Sequence, residues 1–124
     1  MEDKARTNLQ AAGLLKGHRF FDSCASRAYY AAYLAGWAWM LNANQTPPVD
    51  EHGNKYWPHA SFAQELFNWG ALSDLELLDD FEFLRSRRVQ ADYYRDPVLE
   101  EQAEEAVEIA LKLVDQLTGR RSET

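Results

Sequence analysis

Cysteine is almost missing from this chain: Cys24 is the only one in 124 residues. One thiol can form no internal disulfide and no cysteine metal cluster. Positive charge is scarce too, with 13 Lys and Arg against 20 Asp and Glu and a formal net charge of −7. That balance excludes a generic nucleic-acid coat, because neutralising phosphates takes a basic surplus. A local basic patch stays open. The longest charge-free apolar run, Ala28 to Leu41, is about four residues short of a membrane span. The opening MEDKARTNLQ has no apolar core of the kind a signal peptide needs. The expectation is a soluble cytoplasmic protein with no membrane partner. No phosphate loop, G-x-S-x-G motif, internal repeat, low-complexity segment or strand signal is present. Three of the four prolines fall between Asn44 and Pro58, which leaves the remainder free to form helices.

What is there reads as helix. Ala5, Leu9, Ala12 and Leu15 recur at helical spacing over Glu2 to Lys16, and Gly17 suits the stop. Phe20 to Leu41 is the centre of the chain, with Asp22 and Arg27 its only ionised side chains. Its apolar residues occupy more than one face: Phe21, Cys24, Ala25, Ala28, Ala32, Ala35 and Trp39 on one, Tyr29, Tyr33 and Trp37 on another. A helix apolar nearly all round belongs in the middle of a bundle. The small residues Ala25, Ala28, Ala31, Ala32, Ala35, Gly36 and Ala38 would let neighbouring helices approach closely. Arg27 fits this surface badly, since a buried guanidinium needs a carboxylate, a polar cleft or a subunit interface.

Asn44 to Pro58 is the one long irregular stretch, followed by a short helix over His59 to Trp69 with Pro58 in its first turn and Gly70 at its end. Ser73-Asp-Leu-Glu76 matches a capping box opening a fourth helix that reaches about Tyr94. Asp96-Pro97 suits the start of the last helix, whose Leu99, Ala103, Ala106, Ala110, Leu113 and Leu117 share one face. Residues 1–118 therefore form one domain, an all-α antiparallel bundle of four to five helices, and Gly119 to Thr124 a frayed tail. A chain of this length buries roughly two thirds of its unfolded surface.

On the fourth helix Leu77, Phe81, Leu84, Arg88 and Ala91 are four, three, four and three apart, so Arg88 continues an apolar stripe. Asp92 follows it at the i+4 spacing of surface ion pairs. Arg85 shares that side, with Tyr93 and Tyr94 adjoining. Arg27, Tyr29 and Tyr30 lie on the helix that should pack nearby, and Arg27 and Asp92 are expected to approach each other. Two readings stand: an ion pair that sets helix register among core tyrosines, or a cleft for an anionic ligand. In the second, guanidinium forks take phosphate and tyrosines stack on a base, with Arg27, Tyr30, Arg85, Arg88, Asp92 and Tyr93 as the ligand-binding set.

These same residues carry a resemblance. Ser26-Arg27-Ala28-Tyr29-Tyr30-Ala31 resembles the S-R-x-Y-Y-A signature of HEPN domains, and Arg88-Val-Gln-Ala91-Asp92-Tyr93 resembles the R-x-x-A-D-Y signature of the same branch. The order of elements agrees, including a Lys/His region at Lys55 and His59, and the likeness spans roughly Ala5 to Leu117. It implies a four- or five-helix HEPN bundle, usually a homodimer whose facing helices line a shared cleft, without a cofactor. Many such proteins, mostly prokaryotic, are paired with a minimal nucleotidyltransferase in two-component systems resembling toxin–antitoxin pairs, and others are metal-independent endoribonucleases. The ribonucleases carry R-x4-6-H. This chain departs from that pattern, because none of His18, His52 and His59 has an arginine five to seven residues upstream. Asp92 is an acid only after a large upward pKa shift, and Arg88 beside it pushes the other way. The implied function is a nucleotide- or RNA-binding regulatory module. A ribonuclease toxin with an unusual acid (Arg88, Tyr93 and His59 being the catalytic candidates) and an interaction-only dimer are the alternatives.

Other chemistry is less well supported. His52 and His59 with Asp50 and Glu51 lie in and just after a loop with no helical face to align them, so no metal site is expected. His59 instead caps its helix or lines the mouth of the cleft. Cys24 on an apolar face is an inert small hydrophobe. The run Arg85, Arg87, Arg88 and Arg95 reads as a solvated face balanced by the many acids.

Overall fold

The structure is a computed structural model and describes residues 1–119. The expected C-terminal tail, apart from Gly119, lies outside them. Five helices follow one another among the described residues: α1 Glu2–Gly17, α2 Phe21–Asn42, α3 His59–Asn68, α4 Leu75–Tyr93 and α5 Glu100–Thr118. Among the described residues the only β pairing is an isolated antiparallel bridge, Val49 with Lys55. No helix among the described residues is long and apolar enough to cross a membrane.

Helix α2 is the hub, packed against α1, α4 and α5. Eleven of its residues are buried, six of them alanines and one Gly36. Its less buried side is the stripe Ser23, Arg27, Tyr30, Leu34, Trp37 and Leu41. Arg27 sits on that stripe and is exposed. The expected strain of a buried guanidinium therefore does not arise, and Arg27 donates from Nη1 to Asn8 Oδ1 of α1 at 3.2 Å.

Polar clasps set how the helices lie. Arg6 Nη2 of α1 bonds Asp115 Oδ1 (3.1 Å) and Thr118 Oγ1 (3.0 Å) of α5. Lys112 of α5 reaches Asp80 of α4, and Gln90 near the end of α4 meets Gln102 near the start of α5. These two contacts, from opposite ends of the pair, make α4 and α5 antiparallel.

The ends of the elements differ from the sequence expectation in four places. Helix α1 runs through Gly17, and the left-handed residue that turns the chain is Arg19, φ 65°. Pro58 stands just before α3 in an extended conformation, φ −62° and ψ 136°. Asp74, not Ser73, caps α4, its Oδ1 accepting the Leu77 N–H at 2.9 Å. A carboxylate there also faces the positive end of the helix dipole. Asp96-Pro97 lies outside α5. The Val98 N–H is held by Asp22 Oδ1 of α2 at 2.8 Å, which keeps the chain out of the helix until Leu99, whose N–H is taken by Gln102 Oε1 at 2.9 Å.

The long connection between α2 and α3 is tied to the core by Trp57, only 1% exposed. Its indole meets Trp37 (centroids 4.8 Å) and Phe62 (5.5 Å), and its carbonyl accepts the Tyr33 hydroxyl. Helix α3 seats Phe62 and Leu66 on the notch left by Gly36. A Cβ at Gly36 would stand 2.6 Å from Phe62 Cε2 and 2.9 Å from Leu66 Cδ1. Gly13 in α1 has nothing within 4 Å of such an atom.

Gly36 and Gly13 should thus respond oppositely in urea or thermal unfolding. Gly36→Val should destabilise by about 2 kcal/mol, within the range for overpacking a core. Gly13→Ala should stabilise by about 0.5–1 kcal/mol through helix propensity alone. A neutral Gly36→Val would contradict the close α2–α3 seat.

Candidate functional site

The heptad-like spacing that buries Leu77, Phe81 and Leu84 delivers Arg88 to the seam between α4 and α2, its side chain 16% exposed. There the guanidinium finds three kinds of partner. Nε lies 2.9 Å from Asp92 Oδ2, one turn along the same helix. The Nε hydrogen is poorly aligned on that oxygen, so the contact is an ion pair more than a directed hydrogen bond. Nη2 donates to the Tyr30 hydroxyl of α2 at 3.1 Å. Three rings surround the cation, its Cζ lying 5.9 Å from the Tyr29 centroid, 5.5 Å from Tyr30 and 5.7 Å from Tyr93, all within cation–π range. Burial works against the charge, but Tyr30, Asp92, Tyr93 and Tyr29 outweigh it and hold the arginine above its ordinary pKa.

His59, the first residue of α3, joins the cluster at the Tyr29 and Tyr30 rings that Arg88 also meets. Its Nδ1 is 2.7 Å from the Tyr29 hydroxyl. Its ring lies against Tyr33 at 4.4 Å and edge-on to Tyr30 at 5.9 Å. Burial, then the positive charges of Arg88 and Arg85, push its pKa below the usual histidine value. The imidazole is therefore neutral at physiological pH. The Tyr29 side chain is fully buried, and that desolvation, with Tyr33 beside it, pushes its pKa up strongly, so it stays protonated.

The residues singled out in the sequence divide into three groups. Arg88, Asp92, Tyr30 and Tyr93 come together, with His59 close by. Arg85 does not touch them: it pairs back to Glu82 at 3.3 Å and lines a separate recess of about 400 Å³ with Ser86, Arg87, Val89 and Tyr94. Only its field reaches Tyr29 and His59. Arg27 hydrogen-bonds Asn8 instead of this group. With Asp22, Ser23, Ser26, Ala91 and Asp92 it lines a cavity of about 200 Å³, sharing that space with Asp92 without forming an ion pair to it. The expected Arg27–Asp92 approach is thus a shared wall and not a contact, because Arg88 at i−4 occupies the carboxylate and Asn8 occupies Arg27.

The partner of the Tyr29 hydroxyl is not legible in the sequence. The spacing of Tyr29 assigns it to an apolar face, which is correct for the ring and silent about the hydroxyl. The only signal was a histidine at the start of the next helix. In the loop, Asp50 Oδ1 accepts the His52 and Asn54 N–H groups at 2.8 and 2.9 Å, and His52 lies exposed by Glu51. Among the described residues no three His, Cys, Asp or Glu gather in one place. Cys24 is buried, and that burial raises its thiol pKa.

The arrangement can offer unused guanidinium donors and an exposed tyrosine face (Tyr93 is 70% exposed), with an imidazole that shares the Tyr29 and Tyr30 rings with Arg88. It is electrically balanced, since each arginine near the centre has an acid beside it. A family model described as HEPN domain matches residues 2–120. Comparison with curated proteins gives no match.

The neutral state of His59 makes stability depend on pH. Its folded pKa lies below the unfolded value of about 6.5, so the unfolded chain binds more protons between the two. The contribution is complete above about pH 6.5 and is lost as pH falls toward the folded pKa. Tyr29, Tyr30 and Tyr33 face the ring and the fields of Arg88 and Arg85 reach it; none of these offers negative charge to offset protonation. Unfolding free energies measured from pH 7.5 to 5 should fall more steeply for the wild type than for His59→Gln. Parallel curves would contradict the assignment.

Proposed function

The chain belongs to the HEPN family, and on that premise we propose that it is a nucleotide- or RNA-binding regulatory module. It would work as a homodimer and as one component of a toxin–antitoxin-like pair with a minimal nucleotidyltransferase. The family is associated with ribonuclease and toxin–antitoxin roles, and its domains often form dimers. The observation that carries the binding reading is Arg88. It is a sunken cation whose Nη1 has no protein partner among the described residues, set in tyrosine rings, one of which, Tyr93, faces solvent. A guanidinium fork takes phosphate oxygens, and an open aromatic face takes a base by stacking. Asp92 tempers this site by neutralising Arg88 in the absence of ligand.

A second reading, a ribonuclease, is favoured by one observation: His59 reaches the Arg88 cluster from α3 although no histidine follows Arg88 in the sequence. In the third, an interaction-only dimer, the cluster serves packing alone.

Calorimetric titration with adenosine 5′-monophosphate and with a short RNA, with and without a 5′-phosphate, separates these. The proposal expects binding that Arg88→Ala weakens tenfold or more, the worth of a hydrogen bond to a charged group. Tyr93→Ala should also weaken it tenfold or more through lost stacking. Asp92→Asn should strengthen it, because an internal competitor for the guanidinium is gone. Absence of binding by the wild type, alone or mixed with a nucleotidyltransferase partner, would overturn the proposal. RNA cleavage lost in Arg88→Ala would favour the enzyme, and a lowered melting temperature as the sole effect of Arg88→Ala would favour the structural dimer.

A further inference from the structure

The Tyr29 hydroxyl is the one polar group of a ring with no exposure to solvent. Its oxygen lies 2.7 Å from His59 Nδ1, and no other partner is within hydrogen-bond reach among the described residues. Two protonation patterns could satisfy that distance. In one, Tyr29 donates its proton to an unprotonated Nδ1. In the other, Nδ1–H donates to the tyrosine oxygen, and the tyrosine proton is left buried with no acceptor. Leaving a buried donor unmet costs its full desolvation, roughly 1–3 kcal/mol, while a made bond is mildly favourable. Ionising Tyr29 to accept from Nδ1–H is closed as well, because burial keeps the phenol protonated. Only the first pattern is consistent, so the ring proton of neutral His59 sits on Nε2. That nitrogen has no protein partner among the described residues.

We infer that Tyr29 is a positioning residue that locks His59 as its Nε2–H tautomer, so that the imidazole presents a hydrogen-bond donor, and not a base, to a phosphate group held by Arg88. This rests on the binding reading above and sharpens it. A phosphoryl oxygen is an acceptor that both the free guanidinium donors and an Nε2–H can serve. A 2′-hydroxyl to be deprotonated needs an unprotonated nitrogen, and Tyr29 occupies the one His59 has. Tyr33 and Tyr30 keep the ring from turning over: Tyr33 lies across its face at 4.4 Å, tilted by 32°, and Tyr30 stands edge-on at 89°. The other buried tyrosine hydroxyl of α2 is excluded as a competing partner, since Tyr33 donates to the Trp57 carbonyl.

The test is a long-range nitrogen–proton correlation spectrum of the ¹⁵N-labelled full chain at pH 8, with His59 assigned by His59→Gln, before and after adenosine 5′-monophosphate. The lock predicts a pyrrole-type Nε2 and a pyridine-type Nδ1 for His59. In Tyr29→Phe, which keeps the ring and removes the hydroxyl, the two nitrogens should move toward the averaged values of a mixed population. The same variant should weaken nucleotide binding by up to about tenfold, the factor one net hydrogen bond supplies. A pyrrole-type Nδ1, or averaged nitrogens in the wild type, would overturn the inference. So would nucleotide that binds and leaves Nε2 unmoved. A locked tautomer together with no nucleotide binding would keep the lock and overturn the proposed function, so the two failures are told apart.

Discussion

One cation at the seam between two helices organises this molecule. Arg88 occupies a position that the spacing of α4 reserves for a core side chain, and a guanidinium cannot shed its charge there. It is tolerated because its environment supplies charge, hydrogen bonding and ring electrons together: Asp92 from the same helix, the Tyr30 hydroxyl from α2 and three tyrosine faces around it. Removing Asp92 or Tyr30 would leave a half-buried charge less compensated, which is far more costly than losing a surface pair. The cluster thus has a structural role whatever it binds. Its capacity to bind comes from the guanidinium hydrogens that these partners do not use.

The rest of the bundle can be understood as what brings α2 close enough for that contact. Alanine on α2 removes side-chain bulk, so α1, α4 and α5 can all pack on it. Where the gaps would be too large, aromatic rings fill them. Tyr29, Tyr33, Phe62, Phe81 and Trp57 form a connected set with centroids between 5.1 and 6.1 Å wherever the pairs are in contact. Such ring pairs contribute about 0.5–1.5 kcal/mol each beyond the area they bury. Gly36 admits α3, and α3 carries His59 to Tyr29. The same approach that completes the core therefore delivers the second functional nitrogen.

Much of this was legible in the residues. Period and end signals together locate the five helices, because their apolar stripes are long and the breaks between them hold glycine, proline or asparagine. The signature segments around Arg27 and Arg88 pointed to the family, and the stripe through Leu77, Phe81 and Leu84 placed Arg88 inside. What was not legible depends on three-dimensional competition. Arg27 looked buried because its neighbours are apolar, yet it falls on the one open stripe of α2. The first turn of α5 was displaced because Asp22, 76 residues earlier in the chain, takes the Val98 N–H. Arg85 turned back to Glu82, a choice between acids that spacing cannot make. The pairing of Tyr29 with His59 spans 30 residues and a loop, and no local pattern reports it.

The most direct measurement of the central contact is a double-mutant cycle on stability with Arg88→Met and Tyr30→Phe, each alone and both together, by urea unfolding at pH 7.5. A half-buried charged hydrogen bond across the α2–α4 seam predicts a coupling of about 1 kcal/mol or more. Effects that add to within about 0.5 kcal/mol would mean that the two helices are not joined at this point, and would contradict the account.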